Sequence, residues 1–173
     1  MKSLIVSSVL PKEVKALLYL DIDGVLNQHR PFNSGWCGMD TEPVHLVNSL
    51  LGRYPTLGVV LISSWRYLIF SGYYQLEGLE KLLATHGLDI MGRLVGWTDA
   101  DESVEGWESM PRNEIREELI KRHLRKNPHM PYVVLDDTIG VSTVFQVTIN
   151  GYSGLTANDI RLADSFLQQQ GVK

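Results

Sequence analysis

The 173-residue sequence contains one cysteine, so it forms neither an internal disulfide framework nor a zinc site built from several thiolates. Long apolar runs are also missing, because none approaches the ~20 residues that a membrane-spanning helix needs. Positive charge is not in excess either: 16 Lys and Arg against 20 Asp and Glu give a net charge of −4, which disfavours a strongly basic nucleic-acid wrapper. No repeat or low-complexity linker divides the chain. We therefore expect one cytoplasmic domain over residues 1–173 with no membrane partner.

What the sequence does contain is a set of apolar segments that end in polar residues. Ala16–Leu20 runs into Asp21-Ile22-Asp23-Gly24, Leu57–Ile62 into Ser63-Ser64, and Pro131–Leu135 into Asp136-Asp137. Short continuous apolar segments are typical of strands covered on both faces, as in a parallel sheet. Val144–Ile149 and Arg93–Trp97 add two further candidate strands.

Helical patterns alternate with these strands. They cover Pro43–Leu51 and Tyr74–Thr85, a helix that opens at Ser109-Met110-Pro111, and a last helix through Leu167 that Thr156 can cap, with Asp159 in the capping-box position. The alternation predicts an α/β fold: a doubly wound, Rossmann-like parallel sheet of about five strands with helices on both faces and a core over about residues 16–167. Ligands bind beyond the carboxyl ends of the strands in such sheets.

That edge of the predicted sheet collects four carboxylates, those of Asp21, Asp23, Asp136 and Asp137. Packed like charges disfavour ionisation, and a divalent cation relieves the conflict. An all-oxygen donor set favours Mg²⁺, which commonly shares its ligand shell with phosphate. Asp-Gly taken singly is also a common turn and Asp-Asp a common helix cap. Their joint occurrence after buried strands favours a phosphoryl-transfer site, with Ser63 and Arg112 as partners of the phosphoryl oxygens.

Three of these segments resemble motifs of the haloacid dehalogenase (HAD) superfamily. Leu18–Leu26 resembles the first motif, Val59–Ser63 the second and Val133–Asp137 the fourth. The chain also resembles the small HAD domains associated with RNA-repair proteins. It shares with them Ser64-Trp65-Arg66, the late Gly154-Leu155-Thr156 and, more loosely, the Arg-x-x-Glu-Ile helix start at Arg112-Asn113-Glu114-Ile115.

The resemblance implies a Mg²⁺-dependent phosphomonoester hydrolase. Asp21 would be the nucleophile that forms an aspartyl-phosphate. Asp23 would protonate the leaving oxygen, activate water and bind Mg²⁺ through its backbone carbonyl. Asp136 would complete the metal site with Asp21, and Asp137 would either bind the metal or support it by pairing with Arg112. An aspartate at position 23 favours phosphate over halide chemistry, because dehalogenases have no leaving oxygen to protonate.

The same resemblance implies that Ser63 hydrogen-bonds the phosphoryl group and that Arg112 neutralises its charge. Many family members have lysine at the position of Arg112. Arg66 and Arg116 are rivals for this role, with Arg116 the less favoured of the two because it lies one turn further along the helix.

The segments where the family inserts cap domains are short here. Asn27–Glu42 predicts only a flap, and Thr98–Met110 only an extra loop, so we expect a nearly open site suited to a large substrate such as a nucleic-acid end. Trp65 and Asn27 are assigned to substrate binding, Trp65 by stacking a base while Arg66 holds a neighbouring phosphate. Trp65 could equally plug the base of the following helix.

Two other functions remain open at this point. The protein could be a phosphatase for small metabolites or nucleotides, or a non-catalytic HAD scaffold that binds phosphate or a partner. The basic residues Arg122, Arg125 and Lys126 could likewise form a track for a nucleic-acid backbone or simply a solvated helix end.

Overall fold

A computed structural model describes residues 13–29, 38–138 and 144–173. Five strands form one parallel sheet in the order β3-β2-β1-β4-β5. They are β1 (Ala16–Leu20), β2 (Leu57–Leu61), β3 (Leu94–Trp97), β4 (Tyr132–Asp136) and β5 (Gln146–Thr148). Strand β1 lies at the centre, where Leu18 pairs with Val59 on one side and Val133 on the other. The predicted parallel sheet of five strands is confirmed.

Helices cover both faces of this sheet, as predicted. They are α1 (Thr41–Arg53), α2 (Tyr67–Phe70), α3 (Leu76–Thr85), α4 (Arg112–Lys126) and α5 (Ala157–Gln169). The longer helices α1, α3 and α5 pack on one face, and α4 packs on the other through Ile120 and Leu124. The chain moves outward from β1 to β3 and then crosses back to β4, so right-handed crossovers place α4 opposite α1 and α3.

The ends of the helices follow local chemistry. Thr156 and Asp159 form the predicted capping box at the start of α5. The predicted start of the third long helix at Ser109 is wrong, because α4 begins at Arg112. Trp107–Ser109 forms a separate 3₁₀ turn that Met110 ends in an extended conformation, which is what the residue before a proline favours.

The connections above the carboxyl ends of the strands are short. Between β3 and α4 the chain makes two 3₁₀ turns, at Asp101–Ser103 and Trp107–Ser109. Between β2 and β3 it makes a 3₁₀ turn, α2 and α3, all of which belong to the sheet-covering layer or its edge. Half of the predicted flap, residues 30–37, lies outside the described residues. Within 13–29, 38–138 and 144–173, no lid domain stands over the site.

Residues 151–155 form hydrogen bonds with the loop that follows β1. The amide of Leu155 donates to the carbonyl of Val25 at 3.0 Å, and the amide of His29 donates to the carbonyl of Gly151 at 2.7 Å. The side-chain amide of Gln28 donates to the carbonyl of Ser153 at 3.2 Å. Residues 151–155, which include Leu155 of the Gly154-Leu155-Thr156 motif, therefore hold the loop that carries Asp23. In the part of the chain that is described, no helix is long and apolar enough to cross a bilayer.

Candidate active site

Three carboxylates meet where β1 and β4 end. Asp21 follows β1 and Asp136 ends β4, and the two strands pair up to Leu20 and Leu135. Asp21 is 2% exposed and Asp136 is fully buried, while Asp137 is half-buried. One carboxylate oxygen from each of the three lies within 4.8 Å of the others. The sheet thus brings together three of the four acids predicted to share a site.

The groups around the Asp21 carboxylate have opposite effects on its pKa. Burial raises the pKa of Asp21; Arg116 opposes this rise, and Asp136 reinforces it. One oxygen of Asp21 accepts the backbone amide of Ile22 at 2.8 Å, and the Ser63 hydroxyl also hydrogen-bonds the carboxylate. These bonds favour the ionised form, which is the form a nucleophile requires.

Arg116 is the arginine that reaches the acid pair. Its Nη2 lies 3.1 Å from Asp21 Oδ2 and its Nε lies 3.4 Å from Asp136 Oδ2. Its Nη1 donates to the carbonyl of Ile62, so one guanidinium joins the ends of β1, β2 and β4. Only 5% of Arg116 is exposed. The signal in the sequence was its position beside the apolar stripe of Ile115, Leu119 and Ile120, which α4 turns towards the sheet.

Arg112, which the sequence favours for this role, lies one turn earlier and is exposed. It lines a cleft of about 480 Å³ together with Asp23, His29, Ser64, Asp137 and Thr138. Its charge acts on Asp137, whose pKa it helps to lower against the rise caused first by burial and then by Asp21. Arg112 is thus placed on the cleft, whereas Arg116 is buried beside Asp21 and Asp136.

Arg66 occupies a third kind of position. It is 2% exposed, and its Nη1 donates to the carbonyls of Ile62 at 2.7 Å and Ser63 at 2.9 Å. Its Nε donates to the carbonyl of Asp99 at 3.3 Å, and its Nη2 pairs with Asp101. The guanidinium therefore ties the loop after β2 to the loop after β3, and a phosphate contact by Arg66 stays a prediction.

Asp23 stands apart from the cluster, exposed at the mouth of the cleft. Its Oδ1 accepts the side-chain amide of Asn27 at 3.1 Å, and its Oδ2 accepts the hydroxyl of Ser64 at 3.2 Å. Asn27 Oδ1 in turn accepts the amide of Gly24 at 3.0 Å, which closes the loop behind Asp23. Asn27 and Ser64 therefore position this carboxylate. Substrate contact by Asn27 is untested.

Ser63 is fully buried at the end of β2. It caps the 3₁₀ turn Ser64–Arg66 by accepting the amide of Trp65 at 3.4 Å, and it also hydrogen-bonds Asp21. This pair of contacts fixes its hydroxyl beside Asp21, and a contact between Ser63 and the phosphoryl group stays a prediction.

His29 belongs to the site although its sequence context gave no sign of it. Its Nε2 lies 2.8 Å from Asp137 Oδ2. A Cβ at Gly24, where φ is +82°, would come within 2.3 Å of that same oxygen, and a Cβ at Gly151 within 2.8 Å. Glycine at these two positions makes room for the Asp137–His29 pair.

The residues present fit Mg²⁺. Asp136 Oδ2 is buried and, among the described residues, accepts no hydrogen bond, although Arg116 lies within ion-pair distance. The other oxygen of Asp136 accepts the amide of Thr138 at 2.8 Å. Oxygen donors alone form the cluster, which suits a hard cation. Asp21, Asp136 and Asp137 would hold the ion, with the side chain of Asp23 outside that group.

Mg²⁺ is expected to raise the melting temperature of the wild-type protein, because a ligand of the folded state stabilises it. Asp136→Asn keeps the shape but removes a negative ligand, so the affinity for Mg²⁺ should fall by about tenfold or more. Calorimetric titration measures the affinity, and Asp89→Asn, an exposed acid remote from the strand ends, serves as the control. Equal Mg²⁺ affinity in wild type and Asp136→Asn would contradict this ligand assignment.

Trp65 is half-buried, and stacking of a base on it stays a prediction. One side packs against the core, and its ring meets that of His86 edge-to-face at 6.0 Å. Its other side lines an open groove of about 600 Å³.

The basic end of α4 offers less free charge than its sequence implies, because Arg122 and Arg125 both pair with Glu118 and Lys126 pairs with Asp99.

A parallel α/β sheet with Asp-x-Asp after its central strand, serine after the next strand and two successive acids at the end of β4 defines a HAD-like domain. The family model described as the HAD domain in Swiss Army Knife RNA repair proteins matches residues 17–160, and the chain belongs to this family. The matched range includes every site residue described above. Among curated proteins and among solved structures, nothing matches the chain. Membership of the HAD superfamily indicates a phosphatase-type function.

Proposed function

We propose that this protein is a Mg²⁺-dependent phosphomonoesterase that works through an aspartyl-phosphate and acts on a phosphorylated nucleic-acid end. The observation that carries the proposal is the arrangement at the strand ends. A buried Asp21, paired with Arg116, lies next to Asp137, and Asp137 lines a cleft together with a second, exposed acid, Asp23. A nucleophile and a separate acid are the two groups that this reaction requires.

The reaction divides into two displacements. Asp21 attacks phosphorus while Asp23 gives its proton to the departing oxygen, which leaves as an alcohol. Asp23, now a carboxylate, takes a proton from water, and that water attacks the phosphorus of the aspartyl-phosphate. Inorganic phosphate leaves, and Asp21 and protonated Asp23 are regenerated. When bound, Mg²⁺ supplies positive charge that offsets the carboxylates and the phosphoryl oxygens.

The two arginines of α4 have different roles in this reaction. Arg116 opposes the rise in the pKa of Asp21 that burial causes, and it pairs with both Asp21 and Asp136. Arg112 is free to meet the phosphoryl oxygens from the rim, since it lines the cleft and is exposed. Ser63 orients Asp21 from β2.

The precise support of Asp23 favours an enzyme over a phosphate-binding scaffold. Asn27 and Ser64 both donate to its carboxylate, which orients an acid that a binding module does not need. The open cleft favours a large substrate over a small metabolite. Without a lid among the described residues, the substrate itself must exclude water.

We expect release of inorganic phosphate from a phosphorylated oligonucleotide in the presence of Mg²⁺ and its loss with a chelator. The kcat/KM for the oligonucleotide should exceed that for the matching mononucleotide by about tenfold or more, because further nucleotides add contacts. The gap should shrink as salt rises, since phosphate contacts are screened. Phosphate release measured at equal ionic strength decides this.

The two parts of the proposal fail separately. If the kcat/KM for mononucleotides or sugar phosphates equals that for the oligonucleotide, the assignment of a nucleic-acid end as the substrate is wrong. The assignment as a phosphatase remains in that case. If no phosphate ester is hydrolysed with Mg²⁺ present, the enzyme is wrong and the scaffold alternative takes its place.

A further inference from the structure

An open groove lies beside the cleft, on the side of Asp23. It is called the aromatic groove here, and it is lined by Ser64, Trp65, Tyr67, Leu68, Ser71, Tyr73, Leu82 and His86. Its volume of about 600 Å³ lies within the usual range of ligand pockets. Among its lining residues, only Ser64 and Trp65 have been given a role above.

The aromatic groove adjoins the cleft at Ser64, which lines both. The Ser64 hydroxyl donates to Asp23 Oδ2 at 3.2 Å. Asp23 is the group proposed to protonate the leaving oxygen. The groove therefore begins where the leaving part of the substrate departs, and whatever is attached to that oxygen lies next to it.

The chemistry of the aromatic groove fits a flat, uncharged group. Its lining contains neither Asp, Glu, Lys nor Arg. The Tyr67 hydroxyl is already engaged, donating to Glu102 at 3.0 Å and accepting the amide of Asp101 at 3.0 Å. Tyr73, by contrast, is 79% exposed, which is unusual for a large aromatic side chain. Aromatic faces without charge suit a nucleobase and offer nothing to a second phosphate.

We propose that the aromatic groove binds the nucleobase of the nucleotide that carries the scissile phosphate. This inference rests on the proposed function, because the groove acts on the leaving group of that same reaction. Trp65 and Tyr73 supply the stacking faces, and Ser64 joins the base subsite to the acid that completes the reaction. The groove is thus the element that makes the enzyme favour nucleotides over other phosphate esters.

The test compares two oligonucleotides with the same terminal phosphate, one with a normal terminal nucleotide and one with an abasic terminal residue. Wild-type kcat/KM should be higher for the normal end by about tenfold, the scale of one stacked base. A mononucleotide and deoxyribose phosphate form a second pair, which shows whether the base of a free nucleotide is sufficient. Phosphate release is measured for both pairs.

Variants assign any base preference to the aromatic groove. Trp65→Ala and Tyr73→Ala should each reduce it, whereas Trp65→Phe should retain much of it by keeping a flat face. Tyr73→Ala keeps the test decisive if Trp65→Ala fails to fold, since Tyr73 is mostly exposed. Trp107→Ala is the matched control, because Trp107 is also half-buried but packs against Val104 and Ile115. It should leave the base preference unchanged.

Equal kcat/KM for normal and abasic ends would overturn the inference and leave the groove to a segment of this chain or to a partner protein. A base preference that survives both Trp65→Ala and Tyr73→Ala would overturn it as well. In both of these outcomes the enzyme still releases phosphate, so the proposed function remains. Absence of hydrolysis with all four substrates would instead remove the proposed function, and with it the inference.

Discussion

Asp21→Asn is expected to abolish phosphatase turnover, by about 10³-fold or more, while the protein remains folded. The amide is nearly the same size as the carboxylate but is a poor nucleophile. Asp21 is 2% exposed and one of three clustered carboxylates, so the variant also removes one repelling charge from the cluster. Circular dichroism and thermal melting check the fold, and phosphate release checks turnover.

Asp23→Asn is the matched control, because it removes the acid and leaves the nucleophile. With an aryl phosphate whose leaving group needs no proton, the first displacement should still occur in this variant. The second should stall, since no base activates water, and phosphorylated protein should accumulate. Acid quenching followed by mass spectrometry should find the added phosphoryl group in Asp23→Asn and not in Asp21→Asn. Wild-type turnover by folded Asp21→Asn would disprove the covalent mechanism.

Arg116→Met is expected to have the largest effect on stability of any single change at the site. It removes the cation that pairs with both Asp21 and Asp136 and leaves two buried carboxylates without it. Loss of one partner from a buried ion pair costs about 3–5 kcal/mol in the free energy of unfolding. Mg²⁺ should restore part of this loss by replacing the missing positive charge. Urea unfolding with and without Mg²⁺ measures both effects.

Arg112→Met is the control for this experiment, since Arg112 is exposed at the rim of the cleft. It should lower kcat/KM with little change in stability. Arg116→Lys keeps the charge but loses the fork that reaches two carboxylates, so its stability should fall between those of wild type and Arg116→Met. If Arg112→Met destabilises the protein and Arg116→Met does not, the two positions have been assigned the wrong way round.

The sheet was predictable because each of its central strands is a continuous apolar segment. Strands buried on both faces leave little choice of residue, so β1 and β2 can be found in the sequence directly. The meeting of Asp21 with Asp136 follows from the same pattern, because parallel strands end at one edge. The start of α4 was misplaced because Trp107–Ser109 satisfies its backbone in a separate turn, which the apolar spacing does not reveal.

The charged part of the site was less predictable, since it depends on which way each side chain faces. Arg112 and Arg116 are the same residue type on one helix, and only the packing of α4 decides that Arg116 points to the strands. His29 contacts Asp137 only because two glycines leave the space for it. Ser64 reaches Asp23 across two loops that are distant in sequence. None of these contacts produces a periodic pattern in the sequence from which it could be predicted.

The bonds from residues 151–155 to the loop after β1 also set an order of events during synthesis. Gln28 must wait for Ser153, a partner 125 residues later, before that loop gains its native support. Strands β1 and β2 are made long before residues 151–155, whereas β5 at Gln146–Thr148 is made only just ahead of them. Because a domain generally folds as a unit, a nascent chain that stops before residue 151 leaves the loop that carries Asp23 without its native support.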